Sequence, residues 1–388
     1  MKKIVKKGLL AEMGFTKGGG TINWFPGHMA AATRAIRDRL KVSDLVIEVR
    51  DARIPLSSAN EDLQPMLAGK RRVIALNKKD LANPNIMQKW ICYFDSCKQD
   101  CLSINAHSKG SVMKLLIKCK CFDLGFRPKL LALVEFKLKE LISREPTLLV
   151  MVVGVPNVGK SALINSIHQI ASSRFPVQQK MKRATVGPLP GVTRDIAGFK
   201  IAHKPSIYVL DTPGVLVPSI RDIETGLKLA LAGSVKDSVV GEERIAQYLL
   251  AVLNTRGTPF HWKHLDDRRM EGLLVESDEK HEYNLKDLLP KRKPLDRSGV
   301  RYIEDLVTEV QRALFVPLTD FNGSLEDETD LEILIEQQFE ALQKALKIPQ
   351  KASEARTIVS KKFLTLFRTG RLGPFILDDV PDVSDSVS

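Results

Sequence analysis

The chain has 388 residues, 44% of them hydrophobic, so it can bury a sizeable core, and this composition argues against wholesale disorder. A formal net charge of +13 indicates a polyanionic partner, most often nucleic acid, although a merely basic protein has the same balance. No apolar run approaches the ~18 residues needed to span a bilayer, so we expect no transmembrane segment. Peripheral association with a membrane stays open.

Residues 1–22 form a basic N-terminal segment. Its lysines are accompanied by a single acid, Glu12, and its apolar residues can line one side of a helix. One interpretation is a mitochondrial presequence, which would place the mature protein in the matrix, either free or on the matrix face of the inner membrane. The other is an uncleaved basic arm that binds RNA, and the lack of arginine and serine favours it.

Apolar patterns predict strands that alternate with helices. The predicted strands are residues 45–49, 73–76, 102–105, 148–153, 199–202 and 207–210. The predicted helices include residues 29–41, 130–142, 224–232, 242–253, 331–346 and 355–367. This alternation indicates an α/β domain with a mainly parallel sheet in three layers, followed by a mainly α-helical C-terminal domain.

The domain boundaries follow from where these patterns change. We predict the α/β domain at residues 23–222 and the helical domain at residues 223–380. A highly charged stretch at about 265–330 indicates a linker or an insertion within the helical domain. Residues 381–388 form an acidic tail.

The segment from Gly154 to Ser161 reads Gly-Val-Pro-Asn-Val-Gly-Lys-Ser and fits the phosphate-binding loop pattern. It lies between a predicted strand and a predicted helix, where backbone N–H groups can wrap phosphates, so a chance glycine-rich turn is the weaker interpretation. Lys160 would pair with the β- and γ-phosphates and act in catalysis, and the Ser161 Oγ would bind Mg²⁺. The residues predicted to contact nucleotide here are Gly154, Asn157, Val158, Gly159, Lys160, Ser161 and Ala162.

Two further segments fit a phosphate site. Asp211 begins the run Asp-Thr-Pro-Gly at the end of a predicted strand, where it would hold Mg²⁺ through water. The N–H of Gly214 would then sense the γ-phosphate, which makes this loop a switch. Thr193 lies between the two motifs and can be the switch threonine that closes on Mg²⁺ and the γ-phosphate. The lysines and arginines around it can instead serve only RNA phosphates.

The run from Asn77 to Asp80, Asn-Lys-Lys-Asp, indicates which base is bound. The Asp80 carboxylate can accept from both N1–H and the 2-amino group of guanine, whereas adenine offers no such donor pair. Asn77 would brace the loop, and the stem of Lys78 would cover the base. Asn105 and Ala106, after the next strand, can place a backbone N–H near guanine O6. These residues argue against an ATPase.

The order of the motifs is unusual. Ordinary GTPases run from phosphate loop to switch threonine, Asp-x-x-Gly and then the guanine motif, whereas here the guanine motif comes first. The same sheet forms if the original ends are joined and a new break opens in a surface loop. Because Asp-Thr-Pro-Gly now comes last, nucleotide state can be transmitted to the helices that follow it.

These motifs resemble the circularly permuted GTPases of the bacterial ribosome-biogenesis GTPase A type, and most closely the plant mitochondrial DAR GTPases. Further matching runs are residues 24–30, 51–55, 190–193, 224–230 and 367–373, so the resemblance covers most of the chain. The charged stretch departs from the family pattern. The resemblance implies a factor in late assembly of the large ribosomal subunit in mitochondria, with rRNA stimulating GTP hydrolysis.

The residue that orients the attacking water is harder to identify from the sequence. Many GTPases place a glutamine after the Asp-x-x-Gly glycine to orient water, but this chain has Val215 there. His28 is our candidate, because an imidazole can orient or deprotonate water near neutral pH, and the resemblance points to the same residue. Alternatively, His28 only caps its loop. Asn157 is a candidate K⁺ ligand by resemblance to potassium-activated GTPases, or an ordinary loop asparagine.

Two functions remain open. In the first, the GTPase cycle gates docking on the ribosome and its rRNA. In the second, the protein is a nucleotide-dependent RNA-binding scaffold with incidental hydrolysis, an alternative that Val215 supports. In both, we expect rRNA contacts from the basic helix at residues 29–41 and from the last helix, near Arg356, Lys361, Lys362, Arg368 and Arg371.

Overall fold

The structure is a computed structural model that describes residues 13–17, 22–118, 147–174, 196–203, 206–256, 297–349 and 354–381. The chain divides into two compact units. The first, here called the sheet unit, comprises residues 23–219, 232–236 and 374–388. The second, the helical unit, comprises residues 1–22, 220–231 and 237–373. Each unit draws on segments that are distant in sequence.

All six predicted strands are present in one sheet. They are β1 (Leu45–Asp51), β2 (Arg72–Asn77), β3 (Cys101–Ser103), β4 (Thr147–Val153), β5 (Ala197–His203) and β6 (Ser206–Asp211). Their spatial order is β3-β2-β1-β4-β6-β5. Every pairing is parallel except that between β5 and β6. The predicted mainly parallel α/β sheet is confirmed.

Helices of the sheet unit connect these strands. They are α1 (Gly27–Lys41), α2 (Gln64–Ala68), α3 (Pro84–Ser96), α4 (Lys109–Lys118) and α5 (Lys160–Arg174). Helix α3 was not predicted from the sequence, although its start has clear signals: the Asn83 side chain accepts from two backbone N–H groups, and Pro84 opens the first turn. The predicted helix at residues 130–142 lies outside the described residues.

Both faces of the sheet are covered. Val46 and Met151 pair in register and join a cluster with the apolar side of α1. Ile74 points to the same side and packs with α3. The residues that point the other way, such as Ile47 and Val152, are buried as well, and α5 contacts β4, β5 and β6. The sheet is therefore the middle layer, as predicted.

This topology brings the sequence motifs together. Strands β2, β3, β4 and β6 run parallel to β1, so their carboxyl ends lie at one edge of the sheet. The guanine motif follows β2, the phosphate loop follows β4, and Asp211 ends β6. Ligands of open α/β sheets bind at this edge. The permuted chain order therefore leaves the spatial arrangement of the motifs intact.

The helical unit contains α6 (Ile223–Leu231), α7 (Asp237–Val240), α8 (Glu242–Thr255), α9 (Arg297–Asp320), α10 (Glu328–Ala345) and α11 (Ala355–Arg368). Buried amides tie three of them together. Asn254 and Gln338 exchange hydrogen bonds of 2.9 and 2.8 Å, and Gln338 also donates to the carbonyl oxygen of Leu314. Among the helices that the structure describes, none is long and apolar enough to cross a membrane.

Helix α9 was not predicted from the sequence. It is 24 residues long and lies within the charged stretch that we interpreted as a linker or insertion at about 265–330. Its apolar residues Ile303, Leu306, Val310 and Leu314 are buried at helical spacing. The many charges of the exposed face concealed this stripe in the sequence. Residues 257–296 and the acidic residues of the tail at 382–388 lie outside the described residues.

Candidate functional site

The phosphate loop has a backbone that needs its glycines. Gly154 and Gly159 have φ angles of +148° and +93°. A Cβ on Gly154 would lie 2.3 Å from the Val49 carbonyl oxygen, and one on Gly159 would lie 2.3 Å from the amide nitrogen of Asn77. The two glycines thus let the loop pass close to β1 and to the guanine motif. Helix α5 begins at Lys160, so the last two residues of the phosphate loop already belong to the helix.

Lys160 is buried at the centre of this loop. Its Nζ donates to the carbonyl oxygen of Val155 at 2.9 Å. Burial lowers the pKa of Lys160 to about 8, and the nearby Asp211 partly opposes that shift. A Cβ on Gly214 would lie 3.0 Å from the same Nζ and 2.5 Å from the Cα of Pro156. The Asp-Thr-Pro-Gly loop therefore packs directly against the phosphate loop.

The next two side chains fit a hard cation. Ser161 Oγ donates to Asp211 Oδ2 at 3.0 Å. The other carboxylate oxygen, Oδ1, is buried without a hydrogen-bond partner among the described residues. Burial raises the pKa of Asp211 despite the opposing effects of Lys160 and Ser161. Oxygen donors with an unsatisfied carboxylate are what Mg²⁺ requires, since that ion prefers oxygen and keeps several waters.

Asn77 connects three loops. Its Nδ2 donates to the Val158 carbonyl oxygen of the phosphate loop at 2.8 Å, and its Oδ1 accepts from the Ala106 N–H at 2.9 Å. Ser166 of α5 donates to the Ala106 carbonyl oxygen from the other side. Asn105 accepts from the N–H of His107 and shapes the same turn. One buried side chain thus fixes the guanine motif against its two neighbours.

The remaining residues of the guanine motif differ in exposure. Lys78 has a left-handed backbone, with φ of +62°, and its Nζ lies 2.9 Å from Asp51 Oδ2. Asp80 is exposed within a single 3-10 turn, Lys79–Leu81. An exposed carboxylate here is accessible to a ligand, while Lys78 is held by a buried acid.

The proposed catalytic groups are not all brought together. His28 is exposed as the second residue of α1, and among the described residues no hydrogen bond or ion pair joins it to the phosphate loop. Val215 is buried against α1, in a cluster with Ala32 and Ile36, so it cannot orient a water molecule. Thr193 lies outside the described residues.

Asn157 contacts a segment that the sequence did not single out. Its Nδ2 donates to the Gly233 carbonyl oxygen at 3.2 Å. Ser234 Oγ donates to the Pro156 carbonyl oxygen at 2.8 Å, and Ser234 is buried. Residues 232–236, between α6 and α7, therefore pack on the phosphate loop within the sheet unit. No local pattern in the sequence indicated this.

Comparison with known proteins now identifies the family. Residues 149–285 match the family described as 50S ribosome-binding GTPase. The Arabidopsis thaliana protein "Short integuments 2, mitochondrial" is 72% identical over 98% of this chain and 95% of its own length. "DAR GTPase 2, mitochondrial" from the same plant is 38% identical over 94% of this chain and 92% of its own. The chain belongs to the mitochondrial DAR GTPase family.

As a DAR GTPase, the protein hydrolyses GTP and uses a nucleotide-associated divalent metal ion. Both Arabidopsis relatives are named mitochondrial, and this DAR GTPase is mitochondrial with them. Another relative, "Mitochondrial ribosome-associated GTPase 1" of Mus musculus, is 39% identical over a shorter span, 62% of this chain and 69% of its own length. The resemblance stated from the sequence is therefore confirmed.

Asp51 and Arg53 form a buried ion pair beside the guanine motif, and neither residue was given a role from the sequence. Arg53 places Nη2 2.8 Å from Asp51 Oδ2 and Nε 3.0 Å from Oδ1. Burial alone would raise the pKa of Asp51, but Arg53 and Lys78 outweigh it and hold that pKa well below its usual value. The only signal was the match of residues 51–55 to the family.

Proposed function

We propose that the protein acts in assembly of the large mitochondrial ribosomal subunit, where its GTPase cycle controls docking on the subunit and its rRNA in the matrix. The family description and the name of the mouse relative both refer to the ribosome, which supports this role. The observation that carries the nucleotide half of the proposal is Asn77. It holds the guanine motif, the phosphate loop and the Ala106 turn in one place.

In this proposal each motif has one task. Lys160 neutralises the β- and γ-phosphates. Ser161 and Asp211 would hold Mg²⁺, which would supply further positive charge beside them. Asp80 accepts from guanine, and the stem of Lys78 covers the base. The Gly214 N–H meets the γ-phosphate, and Thr193 closes on it. For the residues that the structure describes, which do not include Thr193, these tasks agree with the positions at which the loops leave the sheet.

His28 is our proposed water-orienting group. Val215 is buried and apolar, so some other side chain must act. We expect His28→Ala to retain GTP affinity but to lower ribosome-stimulated turnover by about 100-fold, as is usual when a general base is removed. His28→Gln, which can still orient a water molecule, should recover part of the rate. His107→Ala is a matched control, since His107 is also exposed. Turnover that stays at the wild-type level in His28→Ala would rule out this role.

Potassium is a second proposed cofactor. The Nδ2 of Asn157 donates a hydrogen bond to the Gly233 carbonyl oxygen. The other polar atom of this side chain, Oδ1, is the one that would bind a cation beside the phosphates. We expect GTP turnover to be about tenfold faster in potassium than in sodium buffer, because the ion adds positive charge where negative charge develops. Asn157→Ala should remove that difference. Equal rates in both buffers would show that Asn157 is an ordinary loop residue.

The structure narrows the expected rRNA contacts. On α11, Arg356 pairs with Glu243 and Glu336, and Arg368 pairs with Asp237. The Nζ of Lys361 lies 3.5 Å from Oε1 of Glu242, and Lys362 is buried. Most basic side chains of the last helix are thus paired with acids of the helical unit or buried, so we favour α1 over this helix as the rRNA contact. Lys361 is exposed nonetheless, as is Arg371 just after the helix.

Helix α1 keeps its positive charge exposed. Arg34, Arg37 and Arg39 are exposed, while Lys41 pairs with Asp38. Replacing the three arginines by alanine should lower the salt dependence of binding to large-subunit rRNA by about two to three units, at unchanged GTP affinity. Lys361→Ala should leave the slope alone. An unaltered slope in the triple variant would place the RNA contact elsewhere.

The alternative is a nucleotide-dependent RNA-binding scaffold, and the buried Val215 is the observation that favours it. One assay, GTP turnover with and without large ribosomal subunits, distinguishes the two functions. An assembly GTPase turns over faster when large subunits are added, whereas a scaffold binds RNA differently in its GTP and GDP states without faster turnover.

A further inference from the structure

The chain after α11 returns to the sheet unit as a short extended segment. We call residues 374–378 the C-terminal strap. The backbone N–H of Phe375 donates to the Leu81 carbonyl oxygen at 3.0 Å, and that of Leu377 donates to the Arg53 carbonyl oxygen at 2.7 Å. The strap therefore bridges two loops, one after β1 and one after β2.

Two buried side chains fasten the strap. Ile376 lies in an apolar cluster with Ala52 and Trp90. Asp378 is 5% exposed and accepts three hydrogen bonds. They come from Leu56 N at 2.8 Å, Ser57 N at 2.9 Å and Ser57 Oγ at 2.6 Å. A buried carboxylate satisfied by three donors is strongly held, because each bond is charge-assisted.

The strap is connected, through neighbouring residues, to Asp80 and Lys78, the two residues that we propose contact the guanine base. Leu81 directly follows Asp80 in the same 3-10 turn, so the Phe375 bond fixes the turn that presents the Asp80 carboxylate. On the other side, the Leu377 bond fixes Arg53. Arg53 holds Asp51, and Asp51 holds the Lys78 ammonium group.

We propose that Asp378 is a positioning residue for guanine recognition, acting through the strap on Asp80 and Lys78. This inference rests on the proposed role of Asp80. Asp378 touches no part of the nucleotide in this scheme. It anchors the strap, and the strap fixes the distance between the loops after β1 and β2. Guanine selectivity depends on that distance, because a carboxylate must meet two donors of the base at once.

Base selectivity tests the proposal better than stability does. Inosine diphosphate lacks the 2-amino group, so it can give Asp80 only one hydrogen bond. Loss of a charge-assisted bond should make it dissociate from the wild-type protein about tenfold faster than GDP. This ratio reports the placement of Asp80, and a strap that merely adds stability would not alter it.

The experiment compares GDP and inosine diphosphate dissociation in the full-length wild-type protein and in Asp378→Ala. We expect GDP to dissociate severalfold faster from the variant and the ratio to fall to about twofold or less, since the two-donor geometry is lost. Asp378→Asn keeps the shape and can still accept from the two N–H groups, so it should recover most of the ratio. Asp379→Ala is the matched control, because Asp379 is exposed and adjacent.

The ratio of the two dissociation rates decides whether Asp378 acts in guanine recognition. If Asp378→Ala keeps the wild-type ratio, even with a lower melting temperature, the strap is structural and the inference is wrong. If Asp378→Ala does not fold, Ser57→Ala replaces it. That variant removes one of the three donors, and an unchanged ratio there overturns the inference as well. If the wild-type protein itself fails to discriminate, the assignment of Asp80 falls, and the inference falls with it.

Discussion

Lys160→Met should lower GTP turnover by about 100-fold or more, because it removes a preorganised positive charge from the phosphates. It should also weaken GTP binding. The variant should fold, since burial lowers the pKa of Lys160 to about 8 and the charged form is disfavoured in the folded protein. The change removes the attraction of Asp211 and the hydrogen bond to the Val155 carbonyl oxygen, so the melting temperature is compared with that of the wild type. Turnover and equilibrium binding of GTP measure the two effects.

Lys89→Met is the matched control for that change. Lys89 is exposed on α3 and belongs to none of the motifs, so its loss should leave turnover unchanged. If Lys160→Met keeps turnover within a few fold of wild type, the loop from Gly154 to Ser161 does not bind phosphates in the way we propose. An inactive variant that has also lost its cooperative unfolding would not count, so its melting curve belongs to the same experiment.

Asp80→Asn should weaken GTP binding by about 100-fold or more, because two charge-assisted hydrogen bonds to guanine are lost. The same change should improve binding of xanthosine triphosphate. Xanthine carries a carbonyl at the 2-position, and the asparagine amide can donate to it. Competition among GTP, ATP and xanthosine triphosphate for the protein measures this exchange of preference.

Asp62→Asn controls for the loss of one exposed acid in the same unit, and it should leave the ranking of nucleotides unchanged. An Asp80→Asn protein that still prefers GTP to the same degree would contradict the guanine assignment. The phosphate site could then still be correct, since Lys160 and Ser161 belong to a different loop.

The strands and the nucleotide motifs were predictable because their signals are local. A buried parallel strand is a short apolar run, and each motif follows such a run directly. Helix α3 was also predictable, because Asn83 and Pro84 mark its start and the buried Met87, Trp90 and Phe94 recur at helical spacing. Helix α9 was missed because its charges dominate the composition of its region.

Contacts between distant segments were beyond prediction from one sequence. Asp378 and Ser57 are 321 positions apart, and nothing in either neighbourhood indicates the other. The same holds for Arg356 and Glu243, whose pairing changes the interpretation of a basic helix. Side-chain charge is visible in a sequence, but whether an acid neutralises it depends on the fold. For that reason the expected rRNA contacts changed more than the nucleotide site did.

The permuted order has a consequence for how this protein can work. The Asp-Thr-Pro-Gly loop continues along the chain towards α6, and residues 232–236 come back to pack on the phosphate loop through Gly233 and Ser234. The strap contacts the guanine side of the same unit. Residues 232–236 and the strap flank most of the helical unit in sequence. We propose that they respond to whether GTP or GDP is bound and thereby control docking on the ribosome.

The central claim is that this GTPase acts on the large mitochondrial ribosomal subunit. GTP turnover by the purified protein, with and without those subunits, tests it most directly. We predict slow turnover alone, as expected for a site in which Val215 replaces the water-orienting glutamine, and a rise of about tenfold or more with subunits. Tight guanine-nucleotide binding with turnover unchanged by large subunits would contradict the claim and favour the scaffold.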